Sequence, residues 1–575
     1  MLGLSATAVR SVPVKWSYRH ALAWLLVSLF LLPIAFGVLG TVLPALGLFT
    51  GFAPGDGFSE VLGDPRFVPA LLMSIFTGLI ATVLVLVFTV VTLVCIHDSR
   101  LWSWISASLP AVLALPHAAI AVGLVFILAP SGVLVRLVSP ELSGWTRPPD
   151  IWVIPDAYGW SLVIGLVVKE TPFLLLAAIS QLSLLKVDVS LRIGRTLGYS
   201  PARCWSRLIL PRLYPRIRLT LYIILAFNLT VVDMALLLGP GNPPTLSVML
   251  MSLVNDPGSR AAASAGAVLS AVMVALCFAA MLLVERLIAG MASRRRQSGA
   301  RGHGVGAFRT LGKWVSFLVP LASFLALLIL LLWSVAYRWR FPDALPSEWT
   351  LRNWTSRGDL FLQSGWTTLS IAITVTLLAL GAAIAWLELE RMSSTPRIDA
   401  IWFLPLLIPQ ISLLFGWQAI ALWSGTDGSW WTVVYSHWLY TLPYVILILA
   451  VAWRDLAPQW SHAAHILGAG YWRVLWRIRL PLLRRPICQA AAVAIAVSVA
   501  QYLPTLLLGA GRHQTLTTEL VTSFGGVDRR VIAALAVLQS LLPLIAFALA
   551  LLYPKWRSSL LSGKTKPLTA RMMPQ

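Results

Sequence analysis

Charge is scarce in this 575-residue chain: Asp, Glu, Lys and Arg supply 11% of it, against about 25% in soluble domains. Acidic residues are scarcer than basic ones, 22 against 44. The four cysteines, Cys95, Cys204, Cys277 and Cys488, have neither metal-site nor redox spacing, which argues against a zinc site or a disulfide. Catalytic signatures are missing too. No His-Glu-x-x-His pattern occurs, and Gly563-Lys564-Thr565 lacks the glycine a phosphate-cradling loop needs, Ser558 standing in its place. The loops are too short to assemble a Ser, His and Asp set with confidence. The chain shows no sign of being an enzyme.

What fills the space is apolar: 58% of residues are hydrophobic and the mean hydropathy is +0.81. A helix needs about 20 mostly apolar residues to cross about 30 Å of hydrocarbon. Twelve stretches qualify, near 21–45, 70–96, 106–130, 158–183, 217–239, 262–288, 313–336, 364–388, 399–423, 432–452, 487–509 and 531–553. The fold class expected is all-α integral membrane. The first stretch follows Arg10, Lys15 and Arg19 but exceeds a signal-peptide core, so it is read as a span.

The net charge of +22 matters less than its placement. With a cytoplasmic N-terminus and twelve spans, about 32 of the 44 Lys and Arg fall in cytoplasmic segments, chiefly 184–218, 285–313, 453–486 and the tail. Asp56, Glu60, Asp64, Asp150, Asp156, Asp343 and Asp359 fall on the opposite side. This asymmetry is topogenic and touches anionic lipid headgroups rather than nucleic acid. Both termini are expected in the cytoplasm. A Gly-, Ser- and Arg-rich stretch opened by Arg294-Arg295-Arg296 reads as a flexible linker.

The chain also repeats itself. Gly198, Leu210 and Pro211 recur about 270 residues later as Gly468, Leu480 and Pro481. Leu236-Leu237-Leu238-Gly239-Pro240-Gly241 followed by Thr245-Leu246 recurs, in the same register, as Leu506-Leu507-Leu508-Gly509-Ala510-Gly511 followed by Thr515-Leu516. Duplication fixes architecture before any other feature. The expected organisation is a first six-helix repeat over 1–290, a cytoplasmic linker over 291–312, a second six-helix repeat over 313–555 and a cytoplasmic tail over 556–575.

In each half the fourth and fifth spans are joined by a long cytoplasmic loop. The second reads Ser461-His462-Ala463-Ala464-His465-Ile466-Leu467-Gly468, nine residues, then Ile478-Arg479-Leu480-Pro481. This spells a short helix stopped near Gly468 or Gly470, a turn, and a second short helix ending before Pro481. In the first loop Ser200 can cap and Pro201 can start the second helix, which runs to Leu210 before Pro211.

At these residues the pattern resembles the EAA loop of ABC importer permeases: Glu-Ala-Ala, three residues, Gly, nine residues, Ile-x-Leu-Pro. His462, Ala463, Ala464, Gly468, Ile478, Leu480 and Pro481 follow it, with His462 in place of Glu. The first loop departs further, with Arg192-Ile193-Gly194 at the Glu-Ala-Ala positions and Leu208 for Ile, while Gly198, Leu210 and Pro211 hold. Two fused permease halves resemble the ferric-iron and thiamine importer permeases. The stretches 239–246 and 501–505 resemble in particular the Ynj-type ABC permease. The resemblance covers nearly the whole chain. It implies two tandem MetI-like repeats in a bacterial inner membrane, forming the permease subunit of a binding-protein-dependent importer. It implies two copies of a cytoplasmic ABC ATPase docked on the loops, and an extracytoplasmic solute-binding protein. No cofactor is expected on this chain, ATP being used by the ATPase.

Ionisable residues within spans are functional candidates by default. Asp233 stands shortly before the Gly/Pro-rich segment 239–244, where an external mouth is expected, and its counterpart is Leu503. It is a candidate for the translocation pathway, or a partner of Arg260 or of a helix end. Glu170 is a second pathway candidate. Lys169 and Glu170 are adjacent and so cannot face each other, so each needs a partner elsewhere, beside a Pro172 kink. His117 after Pro116 and Gln410 after Pro409 read as kink-associated packing. Trp145, Trp152 and Trp160 suit interfacial anchoring, and the loop 131–158 is a candidate for receiving a binding protein. The alternative function is an ion-coupled secondary transporter, which also uses six-helix repeats but needs a proton or sodium site. The substrate stays open among thiamine-like cations, ferric iron and anions.

Overall fold

Inside hydrocarbon a chain satisfies its backbone polar groups only as helices or a closed barrel, and helices are what the computed structural model contains. It describes residues 18–48, 53, 55–97, 99–151, 153–182, 184–296, 306–392, 399–526 and 528–562. Arg10, Lys15, Trp152, residues 297–305 of the expected linker, and Gly563, Lys564 and Thr565 lie outside them.

In the first half the main elements are α1 (Tyr18–Ala45), α2 (Phe67–Ile96), α3 (Arg100–Ala114), α4 (His117–Leu128), α5 (Trp160–Leu182), α6 (Val187–Thr196), α7 (Leu210–Thr230), α8 (Asp233–Leu238), α9 (Leu246–Val254) and α10 (Arg260–Arg296). The second half has α11 (Gly306–Val335), α12 (Gly358–Met392), α13 (Gln410–Ser424), α14 (Trp430–Arg454), α15 (Gln459–Ile466), α16 (Arg484–Ala500), α17 (Leu503–Gly509), α18 (Leu516–Ser523) and α19 (Arg529–Ser562). A two-stranded antiparallel ribbon, β1 (Ala336–Arg338) and β2 (Glu348–Trp349), follows α11.

Among the described residues nine helices are long and apolar enough to cross a membrane, and a tenth crossing arises if the bent pair Tyr471–Leu482 and Arg484–Ala500 is one span. The stretches at 106–130, 217–239, 399–423 and 487–509 are each interrupted. Pro116 and Pro409 lack an N–H and force the preceding residue extended; Leu115 has ψ 125° and Ile408 ψ 136°. Val231 and Gln501 break the fifth stretch of each half at matching positions, with ψ 136° and 123°. Pro504 accounts for the second of these through its clash with the carbonyl four residues back, and the β-branched run Thr230-Val231-Val232 weakens the helix at the first. Val231, Val232, Gln501 and Tyr502 are all buried in protein, where irregular backbone is tolerated at membrane depth.

The two halves interlock through their first helices. α1 packs along α13 of the other half, and α11 packs along α2 and α4. Small residues permit both approaches: a Cβ on Gly40 would collide with the Gly416 backbone, and one on Gly123 with Ala326. A polar seam reinforces α1, α10 and α13. Thr41 Oγ1 donates to Ser412 O at 2.6 Å, Ser264 Oγ to Thr41 O at 2.6 Å, and Ser412 Oγ to Ala267 O at 2.7 Å.

The coupling loops and the buried polar centre

The two long loops fold alike. α6 and α15 each end in a Schellman turn with glycine in the left-handed region, Gly198 and Gly468 both having φ +79°. The turn's two bonds match: Gly198 N–H to Arg195 O and Tyr199 N–H to Gly194 O, both 3.0 Å, beside Gly468 to His465 at 3.0 Å and Ala469 to Ala464 at 2.9 Å. A one-turn helix follows, Pro201–Cys204 or Tyr471–Val474, then a π-helical turn, Trp205–Ile209 or Leu475–Arg479.

That π turn corrects the expected helix stop before each proline. Pro211 opens α7 and Pro481 sits in the three-residue helix Leu480–Leu482, so the helical path runs through both. Widening the ladder just ahead of a proline absorbs its missing N–H. Ser200 occupies the cap position, yet its hydroxyl makes no capping bond.

Burial follows the same pattern in both loops. His462, Ala463, Gly468 and Pro481 are exposed, as are Arg192, Ile193, Gly198 and Pro211, whereas Ala464 and Gly194 face inward. Leu208, Leu210, Ile478 and Leu480 are half-buried. A Cβ on Gly194 would run into the Cys204 sulfur, which explains glycine where the second loop has alanine. Burial pushes the Cys204 thiol above its ordinary value, with Arg195 pulling the other way.

The anchoring of the loops differs. Trp205 is 1% exposed and its ring lies 5.5 Å from His97, which in turn contacts Trp102. The second loop is held by charge. Arg479, which stands where the first loop has Ile209, forms a buried ion pair with Glu388 at the end of α12. Glu388 also accepts from Tyr471 Oη and Trp453 Nε1, each at 3.0 Å, and Arg479 Nε donates to Ser461 Oγ at 3.2 Å. Beside it Arg454 pairs with Glu390 at 2.7 Å. Sequence reading missed this clamp, although Arg479 breaking the repeat was a visible signal.

Within the membrane, the structure brings together Lys169, Glu170, His117 and Asp233. The Lys169 ammonium donates to Leu115 O at 2.5 Å and Leu113 O at 3.2 Å, satisfying carbonyls freed at the end of α3. Glu170 Oε1 lies 3.3 Å from His117 Nε2 at the start of α4. The adjacent charges thus staple the two sides of the Pro116 break. Asp233 opens α8, is 8% exposed, and makes no salt bridge among the described residues. It lies within electrostatic reach of His117 and of Lys169 midway along α5. The second half supplies Tyr502 within reach of Asp233 and Tyr444 within reach of Glu170. Phe173 and Tyr444 meet with ring centroids 6.0 Å apart. Gln410 opens α13 as His117 opens α4, but the polar centre there is His437, bonded to Ser498 at 3.0 Å and Thr505 at 2.8 Å.

The 131–158 loop is tied to the second half. The buried Arg136 guanidinium donates to Ser131 O at 2.9 Å, Arg340 O at 2.7 Å and Asp343 O at 2.9 Å, and lies 5.2 Å from the Trp339 ring. Asp156 caps α5 through the N–H groups of Trp160 and Ser161, at 2.7 and 2.9 Å.

Multi-pass apolar helices, several of them broken around buried polar groups and flanked by two like-folded surface loops, are the architecture of a membrane transport protein. Comparison with known proteins narrows the class. Residues 377–558 match the family described as binding-protein-dependent transport system inner membrane component. The inner membrane ABC transporter permease protein YnjC of Escherichia coli is 32% identical over 552 residues, 95% of this chain and 98% of that one. The thiamine transport system permease protein ThiP of Escherichia coli is 27% identical over 197 residues, 32% of this chain and 36% of that one. The diacetylchitobiose uptake system permease protein NgcG of Streptomyces coelicolor is 29% identical over 164 residues, 27% of this chain and 52% of that one. The chain belongs to the family of ABC importer permeases. It is a non-catalytic, multi-pass inner-membrane subunit that forms the solute pathway of an importer coupled to an ATPase. Membership implies an ABC ATPase and a solute-binding protein as partners.

Proposed function

We propose that the chain is a complete pseudo-twofold pathway built from two six-helix repeats, 1–290 and 313–555, with 291–312 and 556–575 as cytoplasmic linker and tail. Its twelve passages include the broken ones, and both termini are cytoplasmic. The reciprocal packing of α1 on α13 and α11 on α4 supports this reading. Two copies of the ATPase dock on the loops near 187–217 and 457–486. The contact residues are Gly198, Leu208, Leu210 and Pro211 on one, and His462, Ala463, Ala464, Gly468, Ile478, Leu480 and Pro481 on the other. The matched Schellman and π turns are the observation that carries this reading. Closure of the ATPases on ATP moves the loops and, through them, α7 and α16, whose broken ends bear on the polar centre. The solute-binding protein delivers from the opposite side, over the segments knitted by Arg136.

Asp233 and Glu170 line the pathway opposite Tyr502 and Tyr444. Carboxylates facing tyrosines suit a cationic solute.

The test is import into vesicles carrying the permease with its ATPase and binding protein. Uptake that stops on ATP depletion while an ion gradient is held, and resumes on adding ATP, supports the reading. Uptake that follows the ion gradient alone contradicts it.

A further inference from the structure

At matched positions the two loops differ by a systematic exchange of side chains. Arg192 and Arg195 of the first stand where the second has His462 and His465. Ser190, Thr196, Ala202 and Ser206 stand where the second has Trp460, Ile466, Trp472 and Trp476. Those four large residues are 59%, 86%, 67% and 64% exposed, and Leu467 beside Gly468 is 86% exposed. The first loop presents a smaller aliphatic stripe, Val189, Ile193 and Leu197, interleaved with exposed Arg192 and Arg195. Exposed apolar clusters of this kind mark interaction sites, and tryptophan is the residue most enriched among binding hot spots, together with tyrosine and arginine.

The geometry points to two unequal docking sites for one ATPase. We propose that the second loop holds it chiefly by apolar burial, on an anvil stiffened by the Glu388 clamp, whereas the first, with Arg192 and Arg195 added to the arginines both loops share (Arg203 and Arg207, Arg473 and Arg477), leans more on charge. This rests on the reading that the ATPase docks on both loops. The partner surface it requires is an apolar, aromatic-accepting groove with acidic residues near enough to serve the first loop. Because salt screens exposed charges but strengthens apolar contact, the two copies leave the permease at different ionic strengths.

Leu197 and Leu467 are equivalent and exposed, so each is replaced by cysteine, Leu197→Cys or Leu467→Cys, in the full chain in native membranes with its ATPase. A thiol-to-amine cross-linker then reports occupancy of each loop. As salt rises from about 0.05 to about 0.5 M, the yield at 197 is expected to fall at least about fivefold and that at 467 less than about twofold. Trp472→Ala with Trp476→Ala makes the 467 yield salt-sensitive and leaves 197 unchanged. Parallel decline at both positions in the otherwise natural chain overturns the inequality while leaving docking intact. So does unchanged salt resistance in the double variant, which assigns the indoles to the lipid surface. No ATPase captured at either position at low salt overturns the docking reading itself.

Discussion

At the scale of single residues, buried charge repairs broken backbone. Lys169 and Glu170 bridge the Pro116 break, and Asp233 sits in the first turn of α8, where backbone N–H groups reach its carboxylate. As a proposed pathway residue with no salt bridge among the described residues, it is the one whose charge import would depend on. Asp233→Asn is therefore expected to lower import at least about tenfold, with ATPase capture at both loops unchanged; loss of capture as well makes Asp233 a folding residue instead. Cys204, its thiolate disfavoured by burial, should react with maleimide about tenfold more slowly at about pH 7.5 than a cysteine placed at Leu197, and faster as pH rises. Equal rates at neutral pH contradict the packing against Gly194. The need of Lys169 and Glu170 for separate partners was legible, because adjacent helix positions point apart. Glu388 with Arg479 was legible only in part: Arg479 in place of Ile209 marked a break in the repeat, but its partner lies 91 residues away.

At the scale of elements, close packing and the clamp set the joints that move. Alanine at Gly416 gains about 1 kcal/mol of helix propensity, but its Cβ meets the rigid backbone of Gly37 and Thr41 in α1. Overpacking costs about 1–3 kcal/mol, so Gly416→Ala should lower the thermal midpoint in detergent; a rise refutes the α1–α13 seam. Removing one partner of the clamp, as in Glu388→Gln, leaves Arg479 buried without its counter-charge at a cost of about 3–5 kcal/mol. Glu388→Val with Arg479→Ile copies an apolar anchoring like that of the first loop and should recover most of that loss. Thermal unfolding of the single and double variants measures both, and a double variant no better than the single one shows that charge is required at that joint. The proline breaks at 116 and 409 were written in the sequence. The breaks at Val231 and Gln501 lay inside continuous apolar runs, and hydropathy cannot separate a straight span from one bent within protein.

At the scale of the whole molecule, the two long loops fold alike and are anchored differently. Repeated Gly, Leu and Pro positions announced two matched loops, and the apolar runs announced a membrane. How the first helix of each half crosses to the other was hidden, because small residues such as Gly40 and Gly123 carry no partner's address. The charge bias that orients the chain also gives the first loop its arginines. If one chain carries two ATPase sites, the intact complex, purified in mild detergent at low salt and weighed by native mass spectrometry, has the mass of one permease chain with two ATPase copies. A complex that never exceeds one copy, or two permease chains around a pair of ATPases, contradicts the two-site reading.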